Sequence, residues 1–187
     1  IEVKEVIFEK NLKYKIFKIL SGRLYTDRIH DSAVILDNLL IEGPSYQLRS
    51  KDDNSIGAKD NSNISKNIVL KKGTPRFKRR VNGATLSLLS GGAANNNYFH
   101  WMYDVLPRIA LCEKIFDISK IDFFLLPNNK KDFQIQSLDL LKISKKKRLS
   151  SVKYRHIVAS ELLVTEHPYC LTNNSDIDIQ KIPLWII

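Results

Sequence analysis

Residues 84–116 read ATLSLLSGGAANNNYFHWMYDVLPRIALCEKIF, and this stretch decides the predicted fold. The uncharged apolar run over 84–90 predicts a buried strand, and the small residues that follow it predict a tight turn. After three asparagines, apolar residues recur with the spacing of one helix face. They are Phe99, Met102, Tyr103, Leu106, Ile109 and Ala110. The stretch therefore predicts a strand, a glycine corner and a helix, in that order.

A second face of the same predicted helix carries His100, Asp104 and Arg108 at positions i, i+4 and i+8. A carboxylate one turn from an imidazole can hold one ring nitrogen protonated while the other accepts a proton. Such a pair suits the deprotonation of a sugar hydroxyl. The alternative is that His100 is a half-buried structural histidine and that Asp104 and Arg108 form a surface ion pair. Because one histidine and one aspartate are an incomplete ligand set for zinc, no metal site is predicted.

The elements after residue 84 alternate between strand and helix. Residues 121–126 (IDFFLL) predict a short buried strand, residues 133–143 a helix, and residues 152–157 and 162–164 two further strands. The order β-α-β-α-β-β predicts an α/β fold with a mostly parallel, Rossmann-like sheet over residues 81–187. Residues 1–80 predict a β-rich segment with a strand at 68–70 and a polar loop at 50–67.

In open α/β sheets, ligands bind at the carboxyl ends of the strands. Three predicted loops qualify: 91–97, 127–129 and 166–169, the last of which contains His167. Gly91 and Gly92 would permit close approach of an anionic oxygen to free N–H groups at the helix start. Tyr98 and Trp101 are candidate platforms on which a sugar ring stacks, with core packing as the alternative.

The net charge is +10, from 30 Lys and Arg against 20 Asp and Glu. This balance favours anionic partners, although AT-rich coding produces the same Lys, Asn and Ile content without selection for binding. The run Lys145–Arg148 is read as a solvated loop or as a contact with an anionic membrane surface. No run reaches the roughly 20 apolar residues of a membrane-spanning helix. We expect the chain to be truncated at both ends, since its one methionine is Met102 and it stops at an apolar Trp-Ile-Ile.

Two strings, NYFHW at 97–101 and DVLPR at 104–108, together resemble the central motif of glycosyltransferase family 61. GRLYT at 22–26, EGPSY at 42–46 and the HP pair at 167–168 also fit the family pattern. The resemblance covers most of residues 20–187.

The resemblance implies the acceptor-side, N-terminal lobe of a GT-B type enzyme, with a second lobe missing. It implies an inverting transfer of a pentose or N-acetylhexosamine from a nucleotide sugar to a glycan or polysaccharide hydroxyl, without a metal or other cofactor. His100 would be the general base and Asp104 would orient it, while Arg108 would hold Asp104 or face phosphate. The substrate-binding residues implied are Gly91, Gly92, Asn97, Tyr98, Trp101, Arg108 and His167.

Two alternatives from other functional classes remain open: a basic nucleic-acid-binding module and a non-catalytic docking module. Nucleic acid is not the expected partner, because the basic runs lie in predicted loops and the aromatic residues cluster in the apolar helix. A bacterial enzyme of this kind is expected in the cytoplasm or at the membrane, and a eukaryotic one in the Golgi or endoplasmic reticulum lumen.

Overall fold

The computed structural model describes residues 1–8, 12–29, 31–47, 64, 67–90, 93–169 and 175–187. Within them, ten strands join one hydrogen-bonded sheet. The strands are β1 (Glu2–Ile7), β2 (Lys13–Leu20), β3 (Arg23–Thr26), β4 (Asp31–Leu36), β5 (Leu39–Leu40), β6 (Tyr46–Gln47), β7 (Arg79–Ser87), β8 (Phe123–Leu126), β9 (Arg148–Ser150) and β10 (His156–Thr165). The α-helices are α1 (Ile68–Lys72), α2 (Tyr98–His100), α3 (Pro107–Glu113), α4 (Asp132–Leu140) and α5 (Ser175–Gln180).

The four central strands run parallel to one another, in the spatial order β10-β7-β8-β9. Helical segments follow β7 and β8 and supply the crossover connections that parallel strands require. The prediction of an α/β fold with a mostly parallel central sheet is confirmed. The strand order is compatible with a Rossmann-like fold.

Antiparallel strands extend the sheet on the other side of β10. β3 pairs with the first part of β10, β2 pairs with the last part, and β4 lies beyond β3. Strands from residues 1–47 therefore share one sheet with strands from residues 79–165. The domain boundary predicted at 80/81 falls inside β7.

The two faces of the sheet have separate cores. One face packs beneath the helical segments, where Leu86 and Leu163 meet Trp101 and Val105. The other face packs on itself: Leu24 of β3 and Leu149 of β9, from opposite sides of the sheet, belong to one cluster. A flat sheet could not bring these strands together, so the sheet is strongly coiled.

A bulge in β7 marks the point where β10 changes its antiparallel partner. Between the pairs Val81/Ala159 and Ala84/Glu161, β7 has one residue more than β10. The extra residue is accommodated at Gly83, whose φ of +142° is a backbone conformation that glycine adopts readily and other residues rarely adopt. The backbone N–H beyond it, on Ala84, donates to Asp122 Oδ2 at 2.8 Å.

The segment 98–113 is helical throughout, but its buried face differs from the predicted one. The residues in the core are Trp101, Val105, Ile109 and Cys112. Of the six residues on the predicted face, only Ile109 is buried. The inward face instead includes Asp104 and Arg108, because each of these polar side chains has hydrogen-bond partners there.

One strand prediction is wrong, and another is wrong over most of its length. Residues 68–70 belong to the short helix α1, because the Asn67 side chain accepts from Val69 N at 3.2 Å as an N-cap and Gly73 ends the helix. The strand predicted at 162–164 is confirmed as part of the long strand β10, but of the strand predicted at 152–157 only residues 156 and 157 belong to β10, because residues 151–155 form a turn.

Candidate active site

The site is built on a helix that changes its pitch. Asn97 begins the segment as an N-cap, its side chain accepting from His100 N at 3.3 Å. Residues Trp101–Val105 form a π-helical turn, in which Leu106 N donates to Trp101 O at 3.2 Å. Pro107, which follows Leu106, has no N–H to donate. The π-helical turn therefore lies where a regular α-helix would lack one backbone hydrogen bond. Such turns are frequent at functional sites.

His100 and Asp104 form a hydrogen-bonded pair across this turn. His100 Nδ1 lies 2.8 Å from Asp104 Oδ2. The Asp104 side chain is 1% exposed, whereas the His100 side chain is 20% exposed. A carboxylate at Nδ1 favours the tautomer that carries its proton there, which leaves the lone pair on Nε2. The pair thus has the form of an oriented base with a solvent-accessible ring.

The second oxygen of Asp104 is held by the segment after β10. Tyr169 donates its hydroxyl to Asp104 Oδ1 at 2.6 Å, and His167 Nε2 lies 3.8 Å from the same oxygen. The His167 ring is fixed in turn, since its Nδ1 lies 2.9 Å from Tyr169 O. His167 was predicted to lie in a loop at this sheet edge; Tyr169, in the same loop, was not singled out. The predicted strand end at 166–169 was the sequence feature that placed Tyr169 near the site.

Burial and hydrogen bonding act on the Asp104 carboxyl in opposite directions. Burial by itself raises the pKa of Asp104, but the hydrogen bond with His100 and the nearby His167 outweigh it and hold that pKa well below its usual range. Burial lowers the pKa of His167, although Asp104 acts in the opposite direction. At neutral pH the site therefore holds an ionised Asp104 beside an uncharged His167.

Arg108 contacts Asp104, as one of its two predicted roles requires, but through the Asp104 backbone oxygen. Its Nε donates to the backbone oxygen of Asp104 at 2.8 Å, and its Nη1 donates to Thr165 O at 3.1 Å. Arg108 is 4% exposed and Asp104 is 1% exposed, so the alternative of a surface ion pair is wrong. The guanidinium fastens the helix to the end of β10. Its burial also contradicts a direct contact with a substrate phosphate.

The prediction that Trp101 offers a stacking surface is wrong. The ring is fully buried in the core beneath the sheet face, and its Nε1 donates to Ser137 Oγ at 2.8 Å. Tyr98 has the exposure that a stacking platform needs, at 58%, with its ring against Phe133 at 5.2 Å between centroids. A sugar contact by Tyr98 stays a prediction, as does one by Asn97, which caps the helix.

The described parts of the three predicted loops lie at one edge of the sheet. In register, Leu163 of β10 pairs with Leu86 of β7, and Leu86 pairs with Phe124 of β8, so these strands end together. Gln134 ties two of the loop regions by donating to Ala94 O at 3.1 Å. Gly91 and Gly92 lie outside the described residues, as does most of the polar loop at 50–67. The site at this edge therefore consists of His100, Asp104, His167 and Tyr169.

Two of the four residues in the basic run Lys145–Arg148 donate hydrogen bonds to backbone carbonyl oxygens of this chain. Lys147 Nζ donates to Ser119 O at 3.1 Å, and Arg148 Nε donates to Ile143 O at 2.9 Å. Lys145 and Lys146 are exposed. Contact of this run with an anionic membrane stays a prediction that rests on two lysines.

Over the described ranges, no group of three or more His, Cys, Asp or Glu side chains is arranged to hold a metal ion. In the same part of the chain, no helix combines the length and the apolar character needed to cross a bilayer. Comparisons with models of protein families, with curated proteins and with solved structures found no match to this chain.

Proposed function

We propose that this chain supplies the base-bearing, acceptor-side part of an inverting glycosyltransferase that needs no metal. The donor would be a nucleotide sugar carrying a pentose or an N-acetylhexosamine, and the acceptor a hydroxyl of a glycan or polysaccharide. The proposal extends to a GT-B type architecture of the family 61 kind, in which a second lobe binds most of the donor.

One observation carries the proposal: the pair of His100 and a buried, ionised Asp104 at the carboxyl edge of a parallel sheet. A general base for a sugar hydroxyl needs a free lone pair at neutral pH and a fixed orientation. Asp104 provides the orientation, and it is itself held by Tyr169. The proposed reaction class comes from the resemblance of the NYFHW and DVLPR strings to family 61.

In the proposed reaction, the acceptor oxygen attacks the anomeric carbon of the donor while His100 Nε2 takes the hydroxyl proton. A carbon–oxygen bond forms to the acceptor, and the bond from the anomeric carbon to the diphosphate oxygen breaks. The nucleoside diphosphate leaves with that electron pair, and the configuration at carbon inverts. Asp104 stabilises the imidazolium that forms and stays ionised throughout.

The test uses the full-length protein that contains this chain, with transfer from a panel of nucleotide sugars as the readout. His100→Ala should reduce the transfer rate by about 10²- to 10⁴-fold, the usual contribution of a general base. His100→Gln keeps a polar side chain and should be equally impaired, which separates proton transfer from simple binding. Transfer that persists at close to the wild-type rate in either folded variant would overturn the assignment of the base.

A further inference from the structure

Among the described residues, helical segments cover one sheet face toward the carboxyl ends of β7 and β10, where Leu86 and Leu163 are buried. Toward the amino-terminal ends of the same two strands, the face bears cationic side chains and a groove. Arg23, Lys78 and Arg80 line this groove.

The strand register places two of these cations symmetrically. Arg23 of β3 pairs with Val158 of β10, and Val158 pairs with Arg80 of β7. Residues paired in this way point their side chains to the same face. Arg23 and Arg80 therefore stand on either side of Val158, with their backbones about 10 Å apart, or two strand spacings. Ile35, which pairs with Arg23 on its other side, extends the row and also lines the groove.

The described lining of the groove carries an excess of positive charge. Its charged lining is three cations against one carboxylate, Asp37. Among the residues that the structure describes, no ion pair joins Arg23, Lys78 or Arg80 to a carboxylate. The Nε of Arg23 is buried and has no hydrogen-bond partner there. Burial, with added effect from the charges of Arg23 and Lys78, lowers the pKa of the neighbouring His156.

The shape of the groove suits a small organic ligand. Its volume is about 510 Å³, and Leu20, Ile35 and Leu36 give it apolar lining beside the cations. Small-molecule sites in proteins combine apolar lining with a few placed polar groups at about this volume. Guanidinium groups match phosphate oxygens in a two-point geometry that a lysine does not offer.

We propose that this groove binds a phosphorylated ligand, with Arg23 and Arg80 as the two guanidinium contacts and Lys78 as the third cation. The phosphoryl chemistry is common to a soluble phosphate ester and to a phospholipid headgroup. The groove lies about 20 Å along β10 from Thr165, at the rise of an extended strand. It is separate from the His100–Asp104 pair, so the proposal does not depend on the proposed function.

The first experiment titrates the protein with inorganic pyrophosphate and measures binding by calorimetry at low and high salt. Arg80→Gln should weaken binding about tenfold or more, the usual effect of losing a hydrogen bond to a charged group. Arg79→Gln is the matched control: it removes the same charge from the preceding residue of β7, which points to the opposite face. The Arg79 guanidinium lies there over the rings of Phe77 and Tyr154. Its substitution should leave pyrophosphate binding within about twofold of wild type, apart from long-range screening effects.

The outcomes separate the groove from a general charge effect. Equal weakening by Arg79→Gln and Arg80→Gln, or no saturable binding by the wild-type protein, would overturn the proposal. Arg80 is exposed, so its variant should fold even if Arg23→Gln does not. A second arm uses sedimentation with vesicles of phosphatidylcholine, with and without phosphatidylglycerol. Vesicle binding that Arg80→Gln abolishes assigns the groove to a lipid headgroup; pyrophosphate binding without vesicle binding assigns it to a soluble phosphate ester.

Discussion

The hydroxyl of Tyr169 donates to Oδ1 of Asp104 at 2.6 Å, and it joins two segments that lie 65 residues apart in the chain. Tyr169 is 4% exposed and Asp104 is 1% exposed, so this bond forms away from solvent. It holds the carboxylate whose other oxygen faces His100. The orientation of the candidate base therefore depends on a residue from the segment after β10 as well as on its own helix.

Replacing Tyr169 with Phe should destabilise the protein, because it removes a donor from a buried carboxylate. We expect a loss of about 1–3 kcal/mol in the free energy of unfolding, measured by urea denaturation at neutral pH. Tyr98→Phe is the control, since the Tyr98 ring is 58% exposed, and its effect should stay within about 0.5 kcal/mol. Equal stability of the two variants would show that the Tyr169 hydroxyl does not hold Asp104.

Trp101→Phe should lower stability and should not act specifically on acceptor binding. The smaller ring leaves a void in the core and leaves Ser137 without its Trp101 Nε1 donor. We expect a loss of about 1–3 kcal/mol in the free energy of unfolding. An unchanged unfolding midpoint, together with weaker binding of a glycan acceptor, would restore the stacking role that burial contradicts.

Gly83→Ala should be costly because it combines backbone strain with a steric clash. An added Cβ would lie 2.9 Å from Asp122 Cβ, at a φ of +142°. Gly73→Ala isolates the backbone term, since Gly73 also has a positive φ, of +67°, but nothing lies within 4 Å of an added Cβ. We expect Gly73→Ala to cost about 1 kcal/mol and Gly83→Ala clearly more, both measured by thermal unfolding. If the two variants are equally stable, the packing of Asp122 against the bulge is not rigid.

Stability should fall as the pH decreases from about 7 to about 5, because two histidines resist protonation in the folded state. Burial lowers the pKa of both His156 and His167 below their ordinary value of 6.5. Below that value the unfolded chain binds more protons than the folded one, so acid favours unfolding. The stabilisation is complete above the ordinary pKa and is lost as the pH falls through the folded-state values.

The measurement is the free energy of unfolding by urea across this pH range. His156→Gln removes one of the two groups and should flatten the pH dependence without abolishing it. A wild-type protein whose stability is constant over the range would contradict the assignment of both histidines as neutral groups. Asp104 does not complicate the window, because its lowered pKa places its own titration at more acidic pH.

Local patterns in the sequence predicted local structure well. Alternation of apolar strands and helical segments after residue 84 predicted the parallel layer, and the spacing of His100 and Asp104 predicted a pair within hydrogen-bond reach. Both depend on neighbours within one helical turn or on the order of elements, which a single chain displays directly. The orientation of the helix was predicted wrongly, because apolar residues occur on both of its sides and the buried polar side chains could not be recognised without their partners.

The sequence by itself therefore determined the alternation of strands and helices in the parallel layer. It also determined the spacing of the candidate base and its carboxylate. The tertiary structure decided that Asp104 and Arg108 face inward, that Trp101 belongs to the core and that Tyr169 completes the site. It also decided that Arg23 and Arg80, which lie 57 residues apart in the numbering, flank the same residue of β10. The physical reason is that side-chain direction follows from strand register and helix packing. Both depend on contacts between segments distant in the chain, which residue spacing does not specify.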